Sequence, residues 1–346
     1  LTPFIAMSSS LVLLLGCSGQ LTKPTTANPD TGVSLIDSPA VPQAPANEAS
    51  PALVFNTLAG EIAAQRGESG LAFDYAYQAA SESHNAQAAE RATGIALQAN
   101  LPQQALKGAR LWIDIAPDSL KAHQIAAILN IRQKSLNTAI EHLQQVVMLA
   151  NAQGQTGYLQ AAAIVEKSAP GPQALAIMQQ LVPEDSGDAD ALYALALTAS
   201  RGQQMELAGK YVDRSLSLEP KATNALVLKA HTLISTGQKS QGVAFLAETV
   251  SQSPDNLTLR NAYARTLVEL NETDQALSQY EILNSQQPDN PDTLYALGIL
   301  SLQLDQLDAA AGYLEQLVEK RQRRNEASYY LGIIAEEQKD LSLIHI

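Results

Sequence analysis

The chain has 346 residues, 46% hydrophobic and only 5% aromatic, which suffices for one large or two modest globular units, or for one elongated repeat array. The formal net charge of −13 argues against a nucleic-acid backbone as a partner. The single cysteine excludes an intramolecular disulfide, and the sequence has no run of 18 apolar residues that would cross a membrane as a helix.

A short apolar run, Leu11 to Leu15, lies just before the single cysteine, Cys17. The run is too short for a membrane span and suits the apolar region of a secretory signal peptide. The sequence Leu14-Leu15-Gly16-Cys17 resembles a bacterial lipobox, in which a small residue precedes the cysteine that becomes lipidated. The resemblance implies a lipoprotein signal peptide over residues 1–16 and lipidation of Cys17; the alternative is an ordinary buried cysteine.

The residues around this motif extend the interpretation. The chain begins Leu1-Thr2-Pro3-Phe4 and has no basic residue before Lys23, whereas a signal peptide begins with Met and a basic region. We therefore expect the natural start to lie upstream. In lipoproteins that resemble this one, a residue other than Asp after the cysteine permits transfer to the outer membrane, so Ser18 implies the periplasmic face of a Gram-negative outer membrane.

Residues 17–52 are rich in Pro, Ala and Thr, which predicts a disordered tether that follows the lipidated cysteine. Its prolines interrupt any helix: Pro24, Pro29, Pro39, Pro42, Pro45 and Pro51. About 35 such residues reach roughly 30 Å on average. At the other end, residues 341–346 resemble the translation of a sequencing-library adaptor, so we exclude them from the fold and expect the natural chain to continue past Asp340.

A period of 34 residues fills the chain between these segments. Small residues recur in two columns twelve positions apart, and prolines form a third column at Pro117, Pro220, Pro254 and Pro288. We refer to the two columns as the first-helix column (Gly60, Thr93, Ala127, Ala162, Ala196, Ala230, Ala264, Gly298 and Gly332) and the second-helix column (Ala72, Ala105, Ala139, Ala174, Ala208, Gly242, Ala276 and Ala310). Three columns in one register predict repeats that begin near residues 53, 86, 120, 155, 189, 223, 257, 291 and 325.

The period and the residues Leu297-Gly298, Ala310 and Leu314 resemble the tetratricopeptide repeat. The resemblance implies an all-α superhelical solenoid of about nine helix–turn–helix repeats over residues 53–340. Small residues would let the paired helices cross closely, and proline would end each second helix. The repeat near residue 155 departs from the pattern because Pro170-Gly171-Pro172 stands at its turn. The N-terminal repeats also resemble a group of proteobacterial tetratricopeptide lipoproteins.

Catalytic and cofactor motifs are missing from the sequence. The histidines show no metal-ligand spacing, and we expect them to be solvated or packed: His84, His123, His142, His231 and His345. We find no glycine-rich phosphate loop and no nucleophile motif. The sequence therefore predicts a protein that is not an enzyme and needs no cofactor or metal.

Function must then reside in a binding surface. In tetratricopeptide proteins the first helix of each repeat lines a concave groove, so the resemblance implies groove positions at Tyr193, Leu197, Val227, His231, Asn261, Arg265, Tyr295, Ile299, Tyr329 and Ile333. Tyrosines followed by an aliphatic residue one turn later suit an extended or helical peptide with apolar anchors. The alternative is that these tyrosines only pack between neighbouring helices.

Three functions fit these features. The first is a membrane-anchored periplasmic scaffold that binds proteins or peptides through the groove and helps assemble an envelope machine such as a pilus or secretion system. In this hypothesis the lipid is the only contact with the membrane. The second is an adaptor that regulates cell-wall hydrolases or proteases. The third is an enzyme whose catalytic part lies beyond this sequence.

Overall fold

The computed structural model describes residues 50–338. The predicted signal peptide, Cys17, the tether up to residue 49, Asp340 and the adaptor-like end therefore lie outside the described residues. Residues 50–338 form 17 α-helices and no β-strand. Their bounds are α1 Pro51–Gln65, α2 Ser69–Ser83, α3 Ala86–Gln98, α4 Pro102–Ile115, α5 Leu120–Arg132, α6 Leu136–Ala152, α7 Gly157–Ser168, α8 Gly171–Leu181, α9 Ala189–Arg201, α10 Met205–Leu218, α11 Thr223–Ser235, α12 Lys239–Gln252, α13 Leu257–Glu269, α14 Thr273–Gln286, α15 Pro291–Gln303, α16 Leu307–Glu319 and α17 Arg324–Gln338.

The helices form eight helix–turn–helix repeats, α1–α2 to α15–α16, followed by α17 as the first helix of a ninth. Each helix packs mainly against the helices that precede and follow it in the chain, which is the contact pattern of a stacked repeat array. The first helices begin within two residues of the predicted repeat starts. The all-α repeat solenoid predicted from the 34-residue period is thus confirmed.

The N-terminal boundary of the solenoid differs from the prediction by two residues. Helix α1 begins at Pro51, so Pro51 and Ala52 belong to the solenoid and not to the tether. The Ser50 side chain caps this helix by accepting a hydrogen bond from the Leu53 backbone N–H at 3.0 Å. Proline is favoured at the first helical position because its fixed φ suits the helix and its missing N–H would have no intrahelical partner. Pro51 therefore starts a helix that it was expected to interrupt.

The columns of small residues lie where the paired helices cross. Every member of the second-helix column is buried, and so is every member of the first-helix column except the half-buried Gly332. The crossings leave little room: a Cβ added to Gly298 would lie 2.8 Å from the Leu314 Cγ, and one added to Gly242 would lie 2.6 Å from the Ile234 Cγ1. Small residues recur at these positions because a larger side chain would keep the two helix backbones apart.

The turn inside most repeats uses one residue with left-handed backbone. This residue is Gly67, Asn100, Lys134, Gln203, Gly237, Asn271 or Asp305, in the same register each time. The following N–H donates to a carbonyl five residues back, as in Leu101 N–H to Ala96 O at 2.8 Å, which closes the helix with a Schellman-type bond. Gly202 is not the left-handed residue of its turn. Its backbone lies against Gly171, where an added Cβ would be 3.0 Å from the Gly202 Cα.

The fourth repeat is the irregular one, as its Pro-Gly-Pro sequence indicated. Its helices α7 and α8 have only 12 and 11 residues, and Ala169 between them is extended at φ −138° because a residue before proline avoids helical backbone. Helix α7 packs against both α5 and α9. It crosses α6 so closely that a Cβ on Gly157 would lie 2.8 Å from the Val147 Cα.

We expect Gly298→Leu to destabilise the solenoid by about 1–3 kcal/mol, because Leu314 is fully buried and cannot move away from the added side chain. The matched control is Gly312→Leu on α16, since a Cβ at Gly312 meets nothing within 4 Å. That control should be neutral or gain up to about 1 kcal/mol from helix propensity. Urea unfolding followed by circular dichroism measures both, and equal midpoints would contradict the steric account of the column.

Candidate functional site

A cleft with a volume of about 610 Å³ lies on three successive first helices, α9, α11 and α13. Six positions predicted for the groove line it together: Tyr193, Leu197, Val227, His231, Asn261 and Arg265. These residues come from three repeats. They meet because each stands three residues before or one residue after the first-helix column, so the solenoid brings them to one face.

The cleft has an apolar floor and a polar rim. Tyr193, Leu197 and Val227 are half-buried, and the fully buried Leu246 of α12 closes the floor beneath them. His231, Asn261 and Arg265 are exposed at the rim, where they supply imidazole, amide and guanidinium groups. An apolar floor with a few polar groups above it is typical of ligand and peptide sites.

Two tyrosines mark the electrostatic character of this region. Burial raises the pKa of Tyr193, and the nearby charge of Arg201 opposes that rise. Burial also raises the pKa of Tyr280 on α14, which lies close enough to Arg265 for the guanidinium charge to oppose the shift. Both phenols therefore stay neutral at physiological pH, and Arg265 remains the permanent positive charge of the rim.

Sequence reasoning missed several polar residues of the cleft. Asn224 and Thr258 stand three residues before predicted positions, and Glu269 stands four residues after Arg265. Residues three or four apart share one face of a helix. Extending the predicted face by one turn in each direction would have found all three. Glu269 is the residue that changes the chemistry, since it adds a carboxylate to a rim that otherwise carries the Arg265 guanidinium.

The remaining predicted groove residues do not line this cleft. Tyr295 and Ile299 lie half-buried on α15, while Tyr329 and Ile333 lie on α17. The Tyr295 ring packs edge-on against Tyr330, with ring centroids 6.1 Å apart. For Tyr295, the structure thus matches the alternative reading, in which a tyrosine packs between neighbouring helices.

This C-terminal aromatic cluster still exposes one ring. The Tyr329 side chain is 67% exposed, and the Arg323 guanidinium lies over Tyr295 at 4.9 Å from the ring centroid. Burial, and to a smaller extent a hydrogen bond with Tyr330, raises the pKa of Tyr295 to about 12. The Tyr295 phenol therefore stays neutral, and the positive charge of Arg323 lies over its ring.

Two of the histidines form a pair inside the third repeat, which the sequence did not predict. Their Nδ1 atoms lie 3.1 Å apart, and the His123 Nε2–H donates to the Pro117 carbonyl at 3.0 Å. That bond leaves the His123 Nδ1 as acceptor, so the His142 Nδ1–H donates to it. Burial lowers the pKa of His142, with smaller effects in the same direction from His123 and Arg110 and an opposing one from Glu141.

The seventh repeat has the same arrangement, built from different residues. Arg260 stands at the register of His123, donates to the Pro254 carbonyl at 3.0 Å, and donates to the Gln279 Oε1 at 2.8 Å. Gln279 stands at the register of His142. Both repeats thus tie the start of their first helix to the preceding proline and to their own second helix.

Residues 50–338 contain no cluster of three or more His, Cys, Asp or Glu side chains suited to a metal ion. None of the helices in this part of the chain is long and apolar enough to cross a membrane.

Comparisons with known proteins identify the repeats. Residues 261–313 and 295–343 match the family model described as tetratricopeptide repeat. A TPR repeat-containing protein of Pseudomonas aeruginosa is 29% identical over 263 residues, which are 75% of this chain and 44% of the relative. The chain therefore spans less than half the length of this curated relative. Residues 261–343 contain tetratricopeptide repeats, as their period predicted.

Solved structures that match part of this chain include YrrB, described as a TPR protein with an unusual peptide-binding site. It is 18% identical, with 50% of this chain and 90% of YrrB covered and a TM-score of 0.39. Yeast Tom70 is 11% identical, with 83% of this chain and 89% of Tom70 covered and a TM-score of 0.43.

The histidine pair should make the third repeat sensitive to acid. Because the pKa of His142 is lower in the folded chain than in the unfolded one, where it is near 6.5, the unfolded chain binds the proton more tightly. The stability that neutral His142 contributes is complete above about pH 6.5 and decreases as the pH falls below it. Hydrogen exchange of α5 and α6 at pH 7.5 and 5.5 measures this loss.

The matched control for this prediction is His142→Gln, since glutamine already occupies the same register at residue 279. This variant keeps a donor for the His123 Nδ1 and removes the titrating group at 142. Its α5 and α6 should lose less protection on acidification than those of the natural sequence. An identical loss in both proteins would contradict the prediction.

Proposed function

We propose that this protein is a non-catalytic interaction scaffold that binds a peptide segment of a partner protein in the cleft on α9, α11 and α13. The observation that carries the proposal is the convergence of Tyr193, Leu197, Val227, His231, Asn261 and Arg265 on one cleft of about 610 Å³. The tetratricopeptide repeats of residues 261–343 support it.

The chemistry of the cleft defines the peptide it fits. The half-buried Tyr193, Leu197 and Val227 receive an apolar side chain, whose burial contributes about 1.5–3 kcal/mol. Asn224 and Asn261 offer amides to the peptide backbone, and Arg265 offers a guanidinium to a carboxylate. Glu269, one turn beyond Arg265, disfavours a second acidic group at that end. The preferred segment therefore carries an apolar anchor and one acidic group beside it.

We also propose that the scaffold is anchored through lipidated Cys17 at the periplasmic face of the outer membrane, where it holds components of an envelope machine. The lipobox-like Leu14-Leu15-Gly16-Cys17 and the proline-rich residues that follow it support this location. Several acyl chains on one residue exceed the two signals that stable anchoring requires. A tether of about 35 residues with a reach of roughly 30 Å would let the cleft search for partners away from the bilayer.

The peptide site is tested by selecting binders from a random peptide display library and measuring their affinity by fluorescence anisotropy. Tyr193→Ala and Arg265→Ala should each weaken the selected peptides by about 1–2 kcal/mol, because one removes the apolar floor and the other the charge. The matched control is Arg132→Ala, an exposed arginine at the end of α5 outside this cleft. Failure to select any peptide, or equal losses in all three variants, would contradict the proposed site.

The anchor is tested separately in a Gram-negative host with the natural sequence and a Cys17→Ala variant. The natural sequence should fractionate with the outer membrane and incorporate labelled palmitate, since the thiol carries the acylglycerol. The variant should be unlabelled and leave the membrane fraction. If both proteins fractionate alike and neither is labelled, the lipobox resemblance is a coincidence and the proposed location is wrong.

A further inference from the structure

The first helix of the solenoid presents an apolar stripe to solvent. Phe55, Leu58 and Ile62 of α1 are 60%, 58% and 49% exposed, and their spacing of three and four residues places them on one helical face. Val54 flanks the stripe and is 46% exposed. The opposite face of α1, with Asn56, Gly60 and Ala63, is buried against the rest of the repeat.

The repeat register shows what normally covers this stripe. The position of Phe55 is Gly157 in the fourth repeat, where an added Cβ would lie 2.8 Å from the Val147 Cα of α6, the second helix of the preceding repeat. From the third repeat to the ninth, the residues at this position are all buried: Ala122, Gly157, Ala191, Ala225, Leu259, Thr293 and Ala327. The α1 stripe is therefore the surface that receives a helix from a preceding repeat.

The positions equivalent to Ile62 lead to the same conclusion. Six later repeats bury this position, at Leu129, Ile164, Thr198, Thr232, Leu300 and Ile334, and two half-bury it, at Ile95 and Thr266. A helix that ends a repeat stack ordinarily has a polar outer face, whereas the outer face of α1 carries a phenylalanine, a leucine and an isoleucine. The occupant of this surface is thus an apolar helical face.

The near-absence of charge around the stripe favours a partner whose contacting surface is also uncharged. Glu61 is the only charged residue of α1, and it forms an ion pair with Arg91. The stripe is locally neutral although the whole chain has a net charge of −13. Two copies of this chain can therefore meet at the stripe without bringing unpaired like charges of α1 together.

The described residues offer one helix that matches these requirements, namely α1 itself. In α2–α17 the exposed large apolar side chains occur singly, on different helices: Leu71, Leu97, Met148, Leu218, Val268, Ile282 and Tyr329. A two-fold pair of α1 helices covers both stripes in one isologous contact. We propose that two copies of this chain associate end to end through Phe55, Leu58 and Ile62 of α1.

The contact area sets the strength of this dimer. A helix of 15 residues is about 22 Å long, so one α1 face against another makes a smaller interface than the roughly 800 Å² per partner of a standard complex. The dimer should therefore be reversible and depend on concentration. Added salt should strengthen it, because screening reduces the repulsion between two chains of charge −13.

The test uses the full 346-residue chain with Cys17→Ala, which removes lipidation. Sedimentation velocity across a roughly hundredfold range of concentration should show a monomer–dimer equilibrium, and a Phe55→Asp, Leu58→Asp variant should raise the dissociation constant about tenfold or more. The matched control is Leu218→Asp, which places the same charge on an exposed leucine of α10. A monomeric parent chain at all concentrations, as would result if residues 1–49 covered the stripe, overturns the proposal.

A second measurement does not require the stripe to be disrupted. Leu58→Cys in the Cys17→Ala chain places the only thiol at the centre of the stripe, where oxidation should give a disulfide-linked dimer. Leu218→Cys in the same background should stay monomeric at equal concentration. Equal crosslinking of the two variants, or a dimer that survives Phe55→Asp, Leu58→Asp unchanged, shows that the chains associate elsewhere and contradicts the proposal.

Discussion

The close crossing of paired helices at small residues is the constraint on which the rest of the solenoid depends. Gly298 against Leu314 and Gly242 against Ile234 leave no room for another methyl group, so each crossing fixes the rotation of both helices about their axes. Once that rotation is fixed, it determines which side of the repeat every other residue faces. Residues five positions before the first-helix column face the preceding repeat, and in α9, α11 and α13 the residues three before or one after it line the cleft.

The same register explains why polar residues differ so much in their roles. Four positions before the column, Leu192 and Leu294 are buried apolar residues, whereas His123 and Arg260 at that position are buried polar ones. Each of the latter two binds the carbonyl of a preceding proline and a partner on the second helix. These bonds satisfy the His123 ring nitrogens and the two terminal nitrogens of Arg260, which would otherwise be costly to bury, whereas the buried Arg260 Nε has no partner among residues 50–338. They give two repeats a directional contact that apolar side chains cannot make.

The cleft is formed by the stacking of several repeats and not by any one of them. No single repeat contains the cleft, since its floor and rim come from α9, α11, α12 and α13. Adjacent repeats present equivalent residues side by side, so the proposed peptide would contact one pair of residues from each repeat that it spans. The stripe on α1, which no helix of residues 50–338 covers, is the other consequence of stacking, because the first helix of an array exposes the surface that a preceding repeat would cover.

The sequence by itself determined the periodic part of this protein. The three columns fixed the fold class, the first helix of each repeat to within two residues, and the face on which Tyr193, Leu197, Asn261 and Arg265 lie, because backbone crossing distance limits side-chain size directly. Local chemistry that breaks the period was harder to predict. Pro51 starts a helix because Ser50 caps it, and Gly202 serves a backbone contact with Gly171 instead of a left-handed turn.

Tertiary structure alone decided which residues of different helices meet. It separated Tyr295 and Tyr329 from the cleft and joined His123 to His142 across 19 residues of sequence. A period gives the direction in which a side chain points. The distance between side chains on neighbouring repeats depends on how far the repeats rotate and translate against each other, and that is set by the packing of all the side chains between them.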